Sequence, residues 1–158
     1  MISTPPVNFV DTSVFCNLLP IYGMDQDRSA IVEELETKLD AGETLILPVT
    51  TIIEAGNHIR HIDNGKARKS CAERFTQVLL ATSAGKLPWK LHQYTWGPEM
   101  LQALAAGGNT GMTFVQHAVG GIGCGDLCIL CERDLYAQRS LKQNVQVWTI
   151  DETLLSHC

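Results

Sequence analysis

Four acidic residues stand at comparable points of the chain: Asp11 after VNFV, Glu54 after LILPVTTII, Asp126 after GIGCG and Asp151 after VQVWTI. Each follows an apolar run or a glycine turn, close to where a helix is expected to begin. Taken singly, each has a plain structural reading. Asp11, Asp126 and Asp151 fit helix N-caps, whose carboxylates accept from free backbone N–H groups. Thr51-x-x-Glu54 fits the capping-box pattern in the first turn of its helix. Taken together, they point to chemistry. Carboxylates gathered at one edge repel and raise one another's pKa unless a cation neutralises them. Hard oxygen ligands of this kind suit Mg²⁺ or Mn²⁺ rather than a thiolate-seeking metal.

Sulfur offers a competing chemistry around the same residue. GIGCGDLCILC, residues 121–131, surrounds Asp126 with Cys124, Cys128 and Cys131. Spaced i, i+4, i+7, they form one helical stripe beside Leu127 and Leu135 and read as small buried hydrophobes facing a sheet. A zinc or iron–sulfur site needs a fourth ligand, and Cys16, Cys71 and Cys158 are scattered. Other sites lack their residues. The chain has no G-x-S-x-G and no G-x-x-x-x-G-K-[ST] phosphate loop. DTS at 11–13 lacks the second acid of an Asp-x-Asp phosphotransfer pair. His58 and His61, three apart on an expected helix, read as solvated or core-edge residues before metal ligands.

These residues need a scaffold that brings distant segments to one edge. VNFV and TLILPV read as short buried strands, and NVQVWTI as an alternating one. A helix is expected from Arg28 to Leu39, with Ile31, Leu35 and Leu39 on one face. A second covers TTIIEAGNHIRHI, with Pro48 at its start. A third, amphipathic, runs from Lys66 to Ala84 with Phe75, Val78 and Leu79 on its apolar side. KLPWKLH suggests a short strand, and GPEMLQALAA a helix opened by proline. AAGGNTGMTFVQHAVGGIGCG reads as glycine-rich loops around a short helix, followed by a long helix from Asp126 to Arg139. DETLLSHC ends the chain as a helical turn. The alternation predicts an α/β fold with a mainly parallel sheet, whose strand carboxyl ends share the edge where ligands bind.

The totals set bounds. At 158 residues, 45% hydrophobic and with mean hydropathy +0.03, the chain is expected to form one globular domain. No apolar run approaches the ~18 residues needed to span a bilayer. MISTPPVN has neither the basic nor the apolar part of a secretory signal. A cytoplasmic setting with reduced cysteines is therefore expected. The net charge is −5, but Arg60 to Lys90 holds seven basic and two acidic residues, +5, leaving −10 elsewhere. That asymmetry describes either a basic face beside an acidic pocket or an ordinary solvated helix. Trp89, Tyr94 and Trp96, in and just after this segment, have the chemistry to stack unpaired bases; the competing reading makes at least the tryptophans core or interface residues.

VNFVDTSVF, VTTIIEAGNHI, GIGCGDLCIL and VWTIDETL, in this order from Asn8 to Leu154, resemble the four signature blocks of the PIN domain family. These are metal-dependent ribonucleases, many of them VapC-type toxins of bacterial toxin–antitoxin pairs. The resemblance implies a three-layer α/β/α sandwich around a central, mainly parallel sheet, spanning residues 1–158 as one domain. It implies hydrolysis of RNA phosphodiester bonds with Mg²⁺ or Mn²⁺. By motif, the catalytic and metal-binding quartet falls on Asp11, Glu54, Asp126 and Asp151. Asp11 and Asp126 are expected to ligate directly, Glu54 and Asp151 directly or through water. The hydroxyl beside the first aspartate falls on Thr12 or Ser13, and that of the final T-x-D on Thr149; both would position carboxylates. Asn57, one turn after Glu54, either faces the same site or has a surface or capping role. Arg60, Lys66, Arg68 and Lys69 would then hold the RNA backbone. A small antitoxin and a second copy in a homodimer are the implied protein partners. The region about 82–120 is longer than in compact members, so contacts there do not transfer. A different class of reading keeps the fold as an inactive binding or scaffold module, against which the intact quartet speaks.

Overall fold

The computed structural model describes residues 3–92, 96–141 and 144–158, which leaves Tyr94 outside the described residues. In chain order the elements are β1 (Val7–Val10), α1 (Thr12–Leu18), α2 (Arg28–Asp40), β2 (Thr44–Ile46), α3 (Val49–Arg60) and α4 (Gly65–Ser83). They continue with β3 (Trp89–Lys90), α5 (Pro98–Ala106), α6 (Phe114–Gly120), α7 (Cys124–Ser140), β4 (Val145–Trp148) and α8 (Glu152–Leu155). The strands form one parallel sheet in the order β3-β2-β1-β4. In register, Phe9 of β1 stands between Ile46 of β2 and Val147 of β4.

A parallel sheet is covered on both faces, so its strands carry apolar side chains in both directions. β1 is buried at all four positions. Val10 joins a core with Phe15, Leu45, Ile59, Trp89 and Trp148, under α1 to α4. Val7 and Phe9 join a second core with Ile46, Met100, Leu127, Leu130 and Leu154, under α5, α7 and α8. Two helical layers thus enclose the sheet, and the architecture is the expected α/β/α sandwich. Asn8, also fully buried, has its polar groups matched: its Nδ2 donates to Glu43 Oε2 at 2.7 Å, and its Oδ1 accepts from Gln146 Nε2 at 2.7 Å.

Some local expectations are corrected. β4 does not alternate between buried and exposed, because Trp148 lies under the Lys38 ammonium on one side while Val147 enters the second core on the other. Leu39 is 40% exposed, since only Ile31 and Leu35 of its face reach the core. Trp89 is a core residue, packed edge-on against Phe15 with its Nε1 donating to Thr82 Oγ1 at 2.9 Å. It is closed to a stacking base. Trp96 is 46% exposed. Cys128 and Cys131 are buried as expected, but Cys124, at the first position of α7, is exposed, and all six cysteines are free thiols. Among the described residues no helix is long and apolar enough to cross a membrane.

Candidate acidic site

After β1 the chain builds β2 and β3 on one side of the sheet, then returns to lay β4 on the other. The carboxyl ends of β1 and β4 are therefore a topological switch point, where a parallel sheet opens a crevice for ligands. Asp11 leaves β1 there, and Thr149 and Asp151 leave β4. The Asp11 N–H donates to the Trp148 carbonyl at 3.0 Å, carrying the ladder up to the acid.

Asp11 caps α1, as its sequence position suggested, and does more. Its Oδ2 accepts three bonds: Ser13 N–H at 3.2 Å, Ser13 Oγ at 2.6 Å and Thr149 Oγ1 at 2.7 Å. Each hydroxyl has one proton and gives it to Asp11, so their own 3.1 Å approach is a contact between oxygens. The same two oxygens accept from Ile150 N–H and Asp151 N–H, which ties the turn after β4 to the start of α1. The other carboxylate oxygen, Asp11 Oδ1, is buried and has no hydrogen-bond partner among the described residues. Leaving a buried polar atom unpaired costs roughly 1–3 kcal/mol, more when it is charged.

Asp151 caps α8, its Oδ1 accepting from the N–H groups of Thr153 and Leu154. The capping reading of these two aspartates therefore holds, and each cap engages one carboxylate oxygen. Glu54 and Asp126 are different. Pro48 precedes α3, so Thr51 is its third residue and Glu54 its sixth. The expected capping box does not form. Thr51 is instead buried, its hydroxyl donating to the Val10 carbonyl at 2.8 Å. Glu54 Oε1 accepts from Thr12 Oγ1 at 2.9 Å. Asp126 is the third residue of α7, whose N-cap is Gly123, and so is no cap. Among the described residues nothing donates a hydrogen bond to its side chain.

The charges act on one another. Burial, then the charges of Asp11, Glu54 and Asp151, push the Asp126 carboxyl up to about 7. Burial raises Glu54 as well, against the Thr12 hydrogen bond, with Asp11 adding to the rise. The Cys16 thiol beneath them is pushed up to about 12, by burial first and then by Asp11 and Glu54. All four acids of the sequence reading thus share one electrostatic neighbourhood. As the side chains stand, no three acidic, histidine or cysteine residues among the described residues group closely enough to hold a metal ion. Like charges keep apart, and Glu54 is drawn to the Thr12 hydroxyl. The donor set nonetheless fits Mg²⁺ or Mn²⁺: Asp11 Oδ1 is buried and unsatisfied, and the ligands are hard oxygens.

Three contributors escaped the sequence reading. At Gly125 a Cβ would overlap the Glu54 carboxylate, which lies against it. Thr51 joins α3 to the end of β1. Buried His117 accepts the Ile122 N–H at Nδ1, 3.3 Å, so its Nε2–H donates to Thr110 Oγ1 at 2.7 Å and fixes the turn before α7. A lone histidine between glycine loops was the only signal for it.

The basic candidates behave unequally. Arg60 ends α3, exposed, and Lys66 and Lys69 are exposed at the start of α4, where Lys69 lies 3.9 Å from Glu73. Arg68 is half-buried and donates to the Ile62 carbonyl at 3.0 Å, holding the α3–α4 turn. Asn57 is exposed, and no hydrogen bond joins its side chain to the carboxylates among the described residues. A cleft of about 470 Å³ lies beside the end of α3, bounded by Tyr22, His58, His61 and Asn64. No family model, curated protein or solved structure matches the chain, so the site is known by its own geometry.

Proposed function

We propose that this chain is a metal-dependent ribonuclease of the PIN type, a VapC-like toxin, acting through Asp11, Glu54, Asp126 and Asp151. The observation that carries the reading is the division within Asp11: one oxygen saturated by three donors, the other buried with none. A fold leaves a buried carboxylate oxygen bare at a cost, and a cation supplies what it lacks. Asp11 and Asp126 would hold Mg²⁺ or Mn²⁺ directly, with Glu54 and Asp151 doing so directly or through water. A bound ion of this kind lowers the pKa of water and neutralises charge on the scissile phosphate.

The chain's own residues do the positioning. Ser13 and Thr149 hold Asp11 in one orientation, and Thr12 holds Glu54 by Oε1. Glu54 Oε2 is then left to orient the attacking water. Arg60, Lys66 and Lys69 supply the cationic track for the RNA backbone. A small antitoxin, a homodimeric partner and a cytoplasmic setting belong to the same proposal.

The test is RNA cleavage in Mg²⁺, Mn²⁺ or EDTA by the wild type and by Asp11→Asn and Asp126→Asn. Loss of about a hundredfold or more is expected in EDTA and in each variant. Cleavage that persists in EDTA, or that survives both substitutions, sinks the proposal. That no three such residues stand pre-grouped among the described residues favours a second reading, an inactive binding module. In that case Mn²⁺ leaves the melting temperature unmoved, since only a ligand of the native state raises it.

A further inference from the structure

The first turns of α3 and α7 frame an apolar groove of about 450 Å³ beside the acidic site. Val49 and Ile53, one helical turn apart on α3, are 55% and 58% exposed, and Trp96 closes the groove with its indole 46% exposed. Cys124 and Gly125 form the opposite wall. Large apolar side chains gathered in water are an interaction site in waiting. The groove also contains Glu54, one of the four carboxylates, so it is continuous with the place where the phosphate would react.

We propose that this groove seats an unpaired base of the RNA, one flanking the scissile phosphate. The proposal rests on the ribonuclease reading and narrows its substrate to single strands. A strand whose phosphate reaches Glu54 must carry its neighbouring nucleoside past Gly125 and Cys124. The occupant has to present flat, weakly polar faces, because Val49, Ile53 and the Trp96 ring dominate the lining, with side-chain polar groups limited to Thr50, Glu54, the Trp96 indole N–H and the weakly polar thiols of Cys124 and Cys128. A base satisfies this by stacking on the indole and resting on the two aliphatic side chains. The recognition is therefore tolerant of base identity but intolerant of a duplex, in which every base face is already stacked.

The experiment uses a cleavable single-stranded RNA, the same RNA with an abasic ribose next to the cut, and its duplex. Wild type, Trp96→Ala, Trp96→Phe and Ile53→Ser are compared by kcat/KM; both positions are exposed, so the fold is not at stake. Trp96→Ala and Ile53→Ser are expected to lose about tenfold on the single strand, and Trp96→Phe to retain most activity. The abasic RNA loses as much on the wild type but nothing further on Trp96→Ala. If the wild type cleaves by the metal-dependent route and neither the variants nor the abasic substrate matter, the groove proposal fails while the ribonuclease reading stands. If no metal-dependent cleavage occurs, the ribonuclease reading fails and takes the groove proposal with it. If the substitutions spare RNA cleavage but abolish self-association or binding of a protein inhibitor, the groove serves a protein surface and the proposal is overturned.

Discussion

Asp126 is the residue whose protonation most reports the crowding of the site. Its carboxyl holds a proton up to about 7, against an ordinary 3.8, chiefly because it is buried and then because Asp11, Glu54 and Asp151 surround it. A group that binds its proton more tightly in the folded state stabilises the fold below its unfolded pKa. That contribution drains away as pH rises through the folded value. Metal-free protein should therefore lose stability between about pH 4 and pH 7, and melt lower at pH 8 than at pH 5. Asp126→Asn should flatten this window and raise the pH 8 melting temperature in EDTA. A thermal scan in which the variant keeps the wild-type pH profile would show that the carboxylates do not burden one another. Gly125 gives a second prediction at this scale. Alanine is favoured over glycine inside a helix by up to about 1 kcal/mol, yet here it displaces the Glu54 carboxylate. Gly125→Ala should leave melting equal or slightly higher while reducing metal-dependent cleavage about tenfold or more. Equal cleavage would mean that Glu54 has no fixed place in the reaction.

At the scale of elements, α3 is held by a bond that sequence spacing misassigned. Thr51 does not cap its helix; its hydroxyl reaches the carbonyl of Val10, the last residue of β1. Thr51→Val, nearly the same shape, should destabilise the fold by about 1–3 kcal/mol, because it strands a buried acceptor. Chemical denaturation measures this, and a loss below about 0.5 kcal/mol would mark the bond as incidental. The misassignment has a simple origin. Capping depends on the residue where a helix begins, and α3 and α7 each begin one or two residues before the sequence pattern suggested. The apolar runs of β1 and β2, the amphipathic pattern of α4 and the existence of a long α7 were legible, since burial in the core demands apolar side chains there. What lay beyond reach was lateral: that Glu54 rests on Gly125, or that Trp89 faces inward and Trp96 outward, depends on neighbours distant in the chain. Of the acids, the sequence showed the capping positions of Asp11 and Asp151, but not that Glu54 and Asp126 lie inside their helices.

For the whole molecule, the division of charge is the property that function would use. The cationic α3–α4 turn and the acidic strand ends belong to one chain of net charge −5. Binding of a polyanion should then be strongly salt-dependent, with Lys66→Ala and Lys69→Ala each reducing the logarithmic salt slope by about 0.7 on single strands. Both lysines are exposed, so stability should not change. Arg68→Ala should behave differently, lowering stability as well, because its guanidinium holds the Ile62 carbonyl. A common effect of all three on slope alone would contradict this division of roles.

The bond from Thr149 to Asp11 joins residues 138 apart in sequence. It has a temporal meaning as well as a geometric one. While a ribosome is still making the chain, Asp11 emerges well before the hydroxyl that orients it, which follows 138 residues later, and before Asp151. Until β4 docks beside β1, Asp11 lacks one of its three donors and the quartet is incomplete. On the proposed reading, the RNA-cutting site would stay unassembled during synthesis until β4 closes the sheet beside β1.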